Sequence, residues 1–215
     1  MSAATELPGD PPRAEARRAQ ILAAAADCFC RHGFHGASIA EISQAAGMSA
    51  GHIYHYFENK EAIIAGIVAQ DLERLLTLTA EFRAARNVLE AMVGHLAEGV
   101  RDMVDPATAG LKLEIVAEAA RNPRVAEVVR TADRQCFASL QETVRALRQA
   151  NGHDDCEAIT AGMAEVIAAL MEGLMVRSIR NPTLDLAVVT PMVQRIIRDL
   201  MTERASDRPN AFSAG

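Results

Sequence analysis

Two histidines, His52 and His55, stand three residues apart in the run GMSAGHIYHYFENK, residues 47–60, beside the only tyrosines of the chain, Tyr54 and Tyr56. A second run upstream, CFCRHGFHG, brings together Cys28, Cys30, His32 and His35. Imidazoles and thiolates bind metals, but imidazoles, phenols and hydroxyls also donate hydrogen bonds to phosphates and base edges. Spacing separates these chemistries. Two histidines three apart share a helix face, yet a closed zinc site needs four ligands and an open one three. Cys28 and Cys30 point about 200° apart around a helix, so both cannot reach one ion. We therefore expect no metal and no cofactor. His32 and His35 read as solvated residues at a helix end, where positive charge is favoured. His52 and His55 read as groups that touch a partner.

The elements that carry them are helical. Half the residues are apolar, aromatics make up 4% and tryptophan is absent. A core of Ala, Leu, Ile, Val and Met favours helix over strand, and no stretch alternates with period two. A first helix is expected over about 13–32, with its apolar stripe at Ile21, Leu22, Ala25, Ala26 and Phe29 and its end at Gly33. Ser38 and Glu41 form a capping-box pattern for a short second helix that stops at Gly47. Ser49 caps a third that ends near Phe57. Longer helices are expected from about Lys60 to 82–86, and near 88–104, 107–121, 123–150, 154–180 and 184–204, punctuated by Asp105-Pro106, Asn122-Pro123, Asn151-Gly152 and Asn181-Pro182. Residues 1–12 and 206–215 read as a disordered leader and tail.

Two short helices joined by AGMS form a helix-turn-helix layout, whose second helix enters a DNA major groove. On a helical wheel Ile53, Phe57, Tyr56 and Ala50 gather on the inward side. Gly51 and His55 fall about 160° and 200° from Ile53, directly outward, with Tyr54 and His52 flanking them. A glycine there permits close backbone approach to a surface.

Bulk properties set limits. The net charge is −6, so a nucleic-acid partner must be met by a local patch. No apolar run approaches the 18 or so residues of a membrane span, and the N-terminus lacks the apolar centre of a signal peptide. A cytoplasmic protein with no membrane partner is expected, its four cysteines (28, 30, 136, 156) reduced.

The stretch GASIAEISQAAGMSAGHIYHYFENKEAII, with Gly33, Phe34, Gly36 and Ser38 before it or at its start and Lys60 near its end, resembles the DNA-binding segment of the TetR family of bacterial transcriptional regulators. The likeness covers roughly residues 17–65. It implies an all-α chain of about nine helices: a three-helix DNA-binding domain over 13–60 and an effector-binding and dimerisation domain over 61–205. It also implies a DNA-contact set. Lys60 would bind a phosphate, joined by Ser38 and Tyr54; Ser49 would cap; Ala50, Gly51, His52 and His55 would lie nearest base edges. Arg17 would join from an N-terminal arm.

The same resemblance implies a homodimer on a palindromic operator, paired through the last two helices. One helix-turn-helix reads too few bases, and symmetry joins two. Met163, Ile167, Leu170 and Leu174 on one helix, and Val193, Ile196 and Leu200 on the other, are the expected interface. The middle helices would enclose a pocket for a small lipophilic effector that releases the repressor from DNA. Phe82, Met103, Phe137, Met171 and Met175 are its candidate lining. Glu114 and Glu118 share a face; half-buried, they would favour a cationic effector, whereas exposed they would pair with Arg121. The competing reading is a thiol or metal sensor on the same scaffold, using Cys28, Cys30, Cys136 or Cys156. An enzyme is not expected, for no nucleophile motif, phosphate loop or dense cluster of His, Asp and Glu is present.

Overall fold

The computed structural model describes residues 11–154 and 156–202, and the expected leader and tail lie largely outside them. The described residues form nine helices and no strand. These are α1 (Pro11–Gly36), α2 (Ile39–Ala45), α3 (Ala50–Tyr56), α4 (Lys60–Ala84), α5 (Val88–Val104), α6 (Pro106–Ala119), α7 (Pro123–Ala150), α8 (Glu157–Arg180) and α9 (Leu186–Thr202). The all-α expectation holds. Helix α1 starts two residues earlier than expected, because proline suits a first turn whose N–H groups have no partner. It also continues past Gly33, where the backbone kinks at φ 69°, ψ 166° and then makes one more turn. A positive φ of that size favours glycine.

The helices gather into two compact units. The first comprises residues up to Ala69 with Gly110–Val129, and the second Gln70–Ala109 with residues from Arg130 onward. The first unit thus takes in more than residues 13–60: the beginning of α4 and parts of α6 and α7 belong to it. Its core is built from Ile21, Leu22, Ala25 and Phe29 of α1, Ile42 of α2, Ile53 of α3, Phe57, and Ile63 and Ile64 of α4, with Ile115 and Val125. Gly66 lets α1 come close to α4, since a Cβ there would stand 2.8 Å from Leu22 Cδ2 and 3.0 Å from Phe57 Cε1.

The second unit has its own core. Met92, Val93, Leu96 and Val100 of α5 pack with Val144 and Leu147 of α7, Met163, Ala164, Ile167 and Leu174 of α8, and Val193, Ile197 and Met201 of α9. Polar ties lock these helices in register. Gln194 Nε2 donates to the Val93 carbonyl (3.0 Å), and Arg198 grips Glu90 with both nitrogens at 2.5 and 3.1 Å. The fork of Arg198 holds the Glu90 carboxyl below its ordinary range. Helix α8 corrects one expectation: it is long and apolar enough by composition to cross a membrane. One side of it fills the second core, as a core helix must.

Local capping sets where α2 begins. Ser38 Oγ accepts from Glu41 N at 3.1 Å, and Glu41 Oε2 accepts from Ser38 N at 2.7 Å, so the expected capping box is present. The backbone N–H of Ser38, and then its hydroxyl, hold the Glu41 carboxyl below its ordinary value. A carboxylate depressed in the folded state adds stability above its unfolded pKa, and that stability is lost as pH falls through the lower folded value. Replacing Ser38 with Ala should therefore cost about 1 kcal/mol at neutral pH. In urea titrations, Glu41→Gln should flatten the loss of stability on acidification. A Ser38→Ala chain as stable as wild type, or an acid profile unchanged in Glu41→Gln, would remove the box from the account.

Candidate nucleic-acid interface

The turn between α2 and α3 is sharp because Gly47 adopts φ 63° and Met48 N donates back to the Ser43 carbonyl at 2.9 Å. Ser49 Oγ then accepts from His52 N at 3.2 Å and starts α3. Ile53 is fully buried on the inner side, and Phe57 just beyond the helix is buried with it. Ala50, Gly51, His52, Tyr54 and His55 are all exposed. Tyr54, at 55% exposure, is among the largest exposed apolar surfaces of the chain. Ala50 was expected inward by its wheel angle, but at the first position of α3 nothing covers it. A Cβ at Gly51 would meet nothing within 4 Å, so packing within the chain does not require glycine there. Tyr56 is half-buried and touches both histidine rings, with centroids 5.3 Å from His52 and 5.1 Å from His55. The imidazoles are thereby steered on the exposed side of the helix.

Longer-range contacts hold α3 in place. Arg18 Nη1 donates to the Tyr56 carbonyl at 3.1 Å, with its guanidinium 4.5 Å from the Phe57 ring centre. That is a cation placed on the negative end of α3. Gln20 Nε2 donates to the Ala46 carbonyl at 2.8 Å, closing α2. Lys60 Nζ donates to the carbonyls of Phe34 (2.6 Å) and Ala37 (2.9 Å) and sits 4.6 Å from the Phe34 ring centre. Two of its three N–H donors thus serve the end of α1. Arg17 is exposed and bonds only locally, to Gln20. The hydroxyls of Ser38 and Ser49 serve as caps.

Other expected site residues fall in different surroundings. Phe82, Phe137 and Met171 pack, half-buried, on the second core; Met175 is buried and Met103 half-buried in the same unit. Glu114 and Glu118 belong to the first unit. Glu114 Oε1 accepts from Phe34 N at 2.6 Å. Glu118 is 1% exposed, with His35 Nε2 at 3.0 Å, Asn122 Nδ2 at 3.1 Å and Arg121 Nη2 at 3.5 Å. Glu118 thus keeps the expected partner Arg121 but is buried rather than exposed, and one oxygen of half-buried Glu114 is taken by the Phe34 N–H. His35, read as merely solvated, is another partner of Glu118.

The residues of the expected interface differ in burial. Met163, Ile167, Leu174 and Val193 are buried in the second unit's own core. Leu170 and Leu200 are half-buried, and Ile196 is 48% exposed. The large uncovered apolar side chains of α8 and α9 are Val166, Ile179, Val188, Met192 and Ile196.

Of the four cysteines, Cys30 and Cys136 are half-buried, Cys156 is exposed, and Cys28 suits a sensor poorly. Cys28 is buried, and that burial pushes its thiol up, against thiolate formation. Among the described residues no three His, Cys, Asp or Glu side chains converge as a metal site would need.

Comparison with known proteins agrees with this layout. Residues 21–67 match the family of bacterial regulatory proteins described as tetR, and residues 85–202 match the C-terminal part of BetI-type transcriptional repressors. The HTH-type transcriptional regulator UidR of Escherichia coli K12 is 37% identical over 119 residues, which are 54% of this chain and 59% of UidR. The aligned chain thus spans under two thirds of that relative. Salmonella enterica GusR superposes with a TM-score of 0.70 at 29% identity, over 92% of this chain and 97% of GusR. Bacillus subtilis FadR, solved in complex with stearoyl-CoA, has a TM-score of 0.68 at 16% identity over 83% and 96% of the two chains, a likeness of fold. With the helix-turn-helix, its capped α3 and the match over the C-terminal helices in hand, the chain belongs to the TetR family of bacterial transcriptional regulators.

Proposed function

We propose that this protein is a cytoplasmic transcriptional repressor, not an enzyme, that binds a palindromic operator as a homodimer and leaves it when a small lipophilic effector binds the second unit. The observation that carries the reading is the outer face of α3: Ala50, Gly51, His52, Tyr54 and His55 are left open on a helix anchored by fully buried Ile53. The BetI-type match over residues 85–202 supports repression. Half-buried Phe82, Phe137, Met103 and Met171 support an apolar effector, as does the acyl-CoA bound by FadR. The cationic variant of that idea loses its support, because Glu114 and Glu118 are engaged elsewhere.

On this reading Ala50, Gly51, His52 and His55 face base edges, and Tyr54, Arg17 and the third N–H of Lys60 face phosphates. Ser38 and Ser49 act by fixing the helix starts. The test is a gel-shift titration against the DNA flanking the gene, across a range of salt. His55→Ala should cost about 1–3 kcal/mol and relax preference at one base pair per half-site. Lys60→Ala should weaken binding to every sequence and lower the salt slope by about one. EDTA should change neither. Retention of native affinity and preference by His52→Ala and His55→Ala together would sink the interface, and zinc-dependent binding would favour the metal-sensing alternative.

Exposure supports a choice of dimer face within this reading. Val166 on α8 and Val188, Met192 and Ile196 on α9 are apolar and uncovered, with Met192 at 59% exposure. Ile196→Glu or Met192→Glu should give a folded monomer in sedimentation that binds the operator poorly. Ile167→Glu should instead unfold the second unit, because it puts a charge into the core. A dimeric Ile196→Glu, Met192→Glu double variant would place the interface elsewhere.

A further inference from the structure

Resting on the reading that α3 meets DNA, we propose that Glu114 and Glu118 form a two-carboxylate latch on the kink of α1 and are positioning residues for the recognition helix. Neither touches DNA. They lie one turn apart on α6 and hold successive residues of the kink. At Gly33 the carboxylate of Glu114 comes so near that a Cβ would stand 3.2 Å from its Oε1. The same oxygen takes the Phe34 N–H at 2.6 Å. Glu118 holds the next residue, with His35 Nε2 at 3.0 Å, and is itself steadied by Asn122 and Arg121.

Lys60 grips the same segment through the Phe34 and Ala37 carbonyls. Phe34 is therefore fixed at its N–H by α6 and at its carbonyl by α4, while its ring is buried 5.5 Å from that of Phe29. Ala37 directly precedes Ser38, whose capping box begins α2. The direction in which α2 and α3 leave α1 is thus set by the geometry of a few acceptors. Stability alone would be as well served by an apolar side chain at the buried site of Glu118, since burying a carboxylate is unfavourable without partners. A directional acceptor adds an angle, which an apolar contact does not.

The test uses the full chain and two substitutions that separate reach from charge. Glu114→Asp keeps the charge but withdraws the carboxylate by one methylene. Glu114→Gln keeps an oxygen in place but loses the charge. The readouts are amide hydrogen exchange at Phe34 by NMR and operator affinity with its salt slope. Glu114→Asp should speed Phe34 exchange and weaken operator binding about tenfold, the scale of leaving one buried N–H donor unsatisfied. The salt slope should not change, because no phosphate contact is lost. Glu114→Gln should behave nearly as wild type in both readouts. The reverse pattern, with Gln impaired and Asp normal, overturns the latch, as does faster Phe34 exchange with unchanged operator affinity. A wild-type protein that binds no operator fragment fails the DNA reading instead; the latch is then judged on Phe34 exchange and its recovery in Glu114→Gln.

Discussion

A seven-residue helix does not hold itself in water, because nucleation costs more than so few hydrogen bonds return. Helix α3 has seven residues, and everything the first unit does for it follows from that constraint. Ser49 fixes its start, Arg18 neutralises its end, and Ile53 anchors its inner face in the core. The outer residues are then free of structural duty. Gly51 shows this most directly, for its missing side chain leaves open space and no neighbour needs it absent. A residue with no internal role, on a helix fixed from its start, its end and its inner face, is what a reading surface requires.

The second unit works differently. Its core is aliphatic and methionine-rich, with Phe82 and Phe137 only half-buried at its edge. Such a core packs adequately without unique jigsaw shapes, since Met fills irregular gaps. Orientation there is assigned to polar ties, such as the Arg198–Glu90 fork and the Gln194 bond to the α5 backbone. Buried Thr79 and Ser139 share a hydrogen bond of 2.7 Å, and Arg83 Nη1 reaches the Ser139 and Thr143 hydroxyls at 3.1 and 2.8 Å. These ties specify register where dispersion contacts alone would allow sliding.

Much of this was legible in the sequence wherever the signal is local. Helix starts at Ser38 and Ser49, the turn at Gly47 and the outward phase of His55 depend on residues within one or two turns, and the sequence shows them. The lapse at Ala50 is the smallest kind, since wheel angle says nothing about whether a helix end is covered. Contacts that join distant segments were not legible. Glu114 meets Phe34 across 80 residues, and no periodicity encodes that pairing. The burial of Glu118 was left open by the sequence, because acids are mostly exposed unless paired and its partner His35 lies far along the chain. On α8 and α9 the difficulty is different: both helices are apolar on more than one side. Ile167 and Val166 are adjacent and similar, and only the packed structure tells that the first faces the core and the second does not.

Charge links these observations to recognition. The chain carries a net charge of −6, and its first sixty residues hold only five Lys and Arg. Arg18 is occupied at the end of α3, Arg31 pairs with Asp27, and Lys60 has two of its donors on the α1 carbonyls. On the proposed reading few cations of the first sixty residues are left to grasp phosphates, and the counterion-release contribution that dominates many protein–DNA complexes would be small for each copy. Affinity would then depend more on the proposed short, directional contacts from imidazole, phenol and backbone, and such contacts fall off steeply with misplacement. On that reading, recognition would depend heavily on the angle at which α3 is held. That dependence is a physical reason for a kink at Gly33 gripped by carboxylates on one side and by an ammonium on the other.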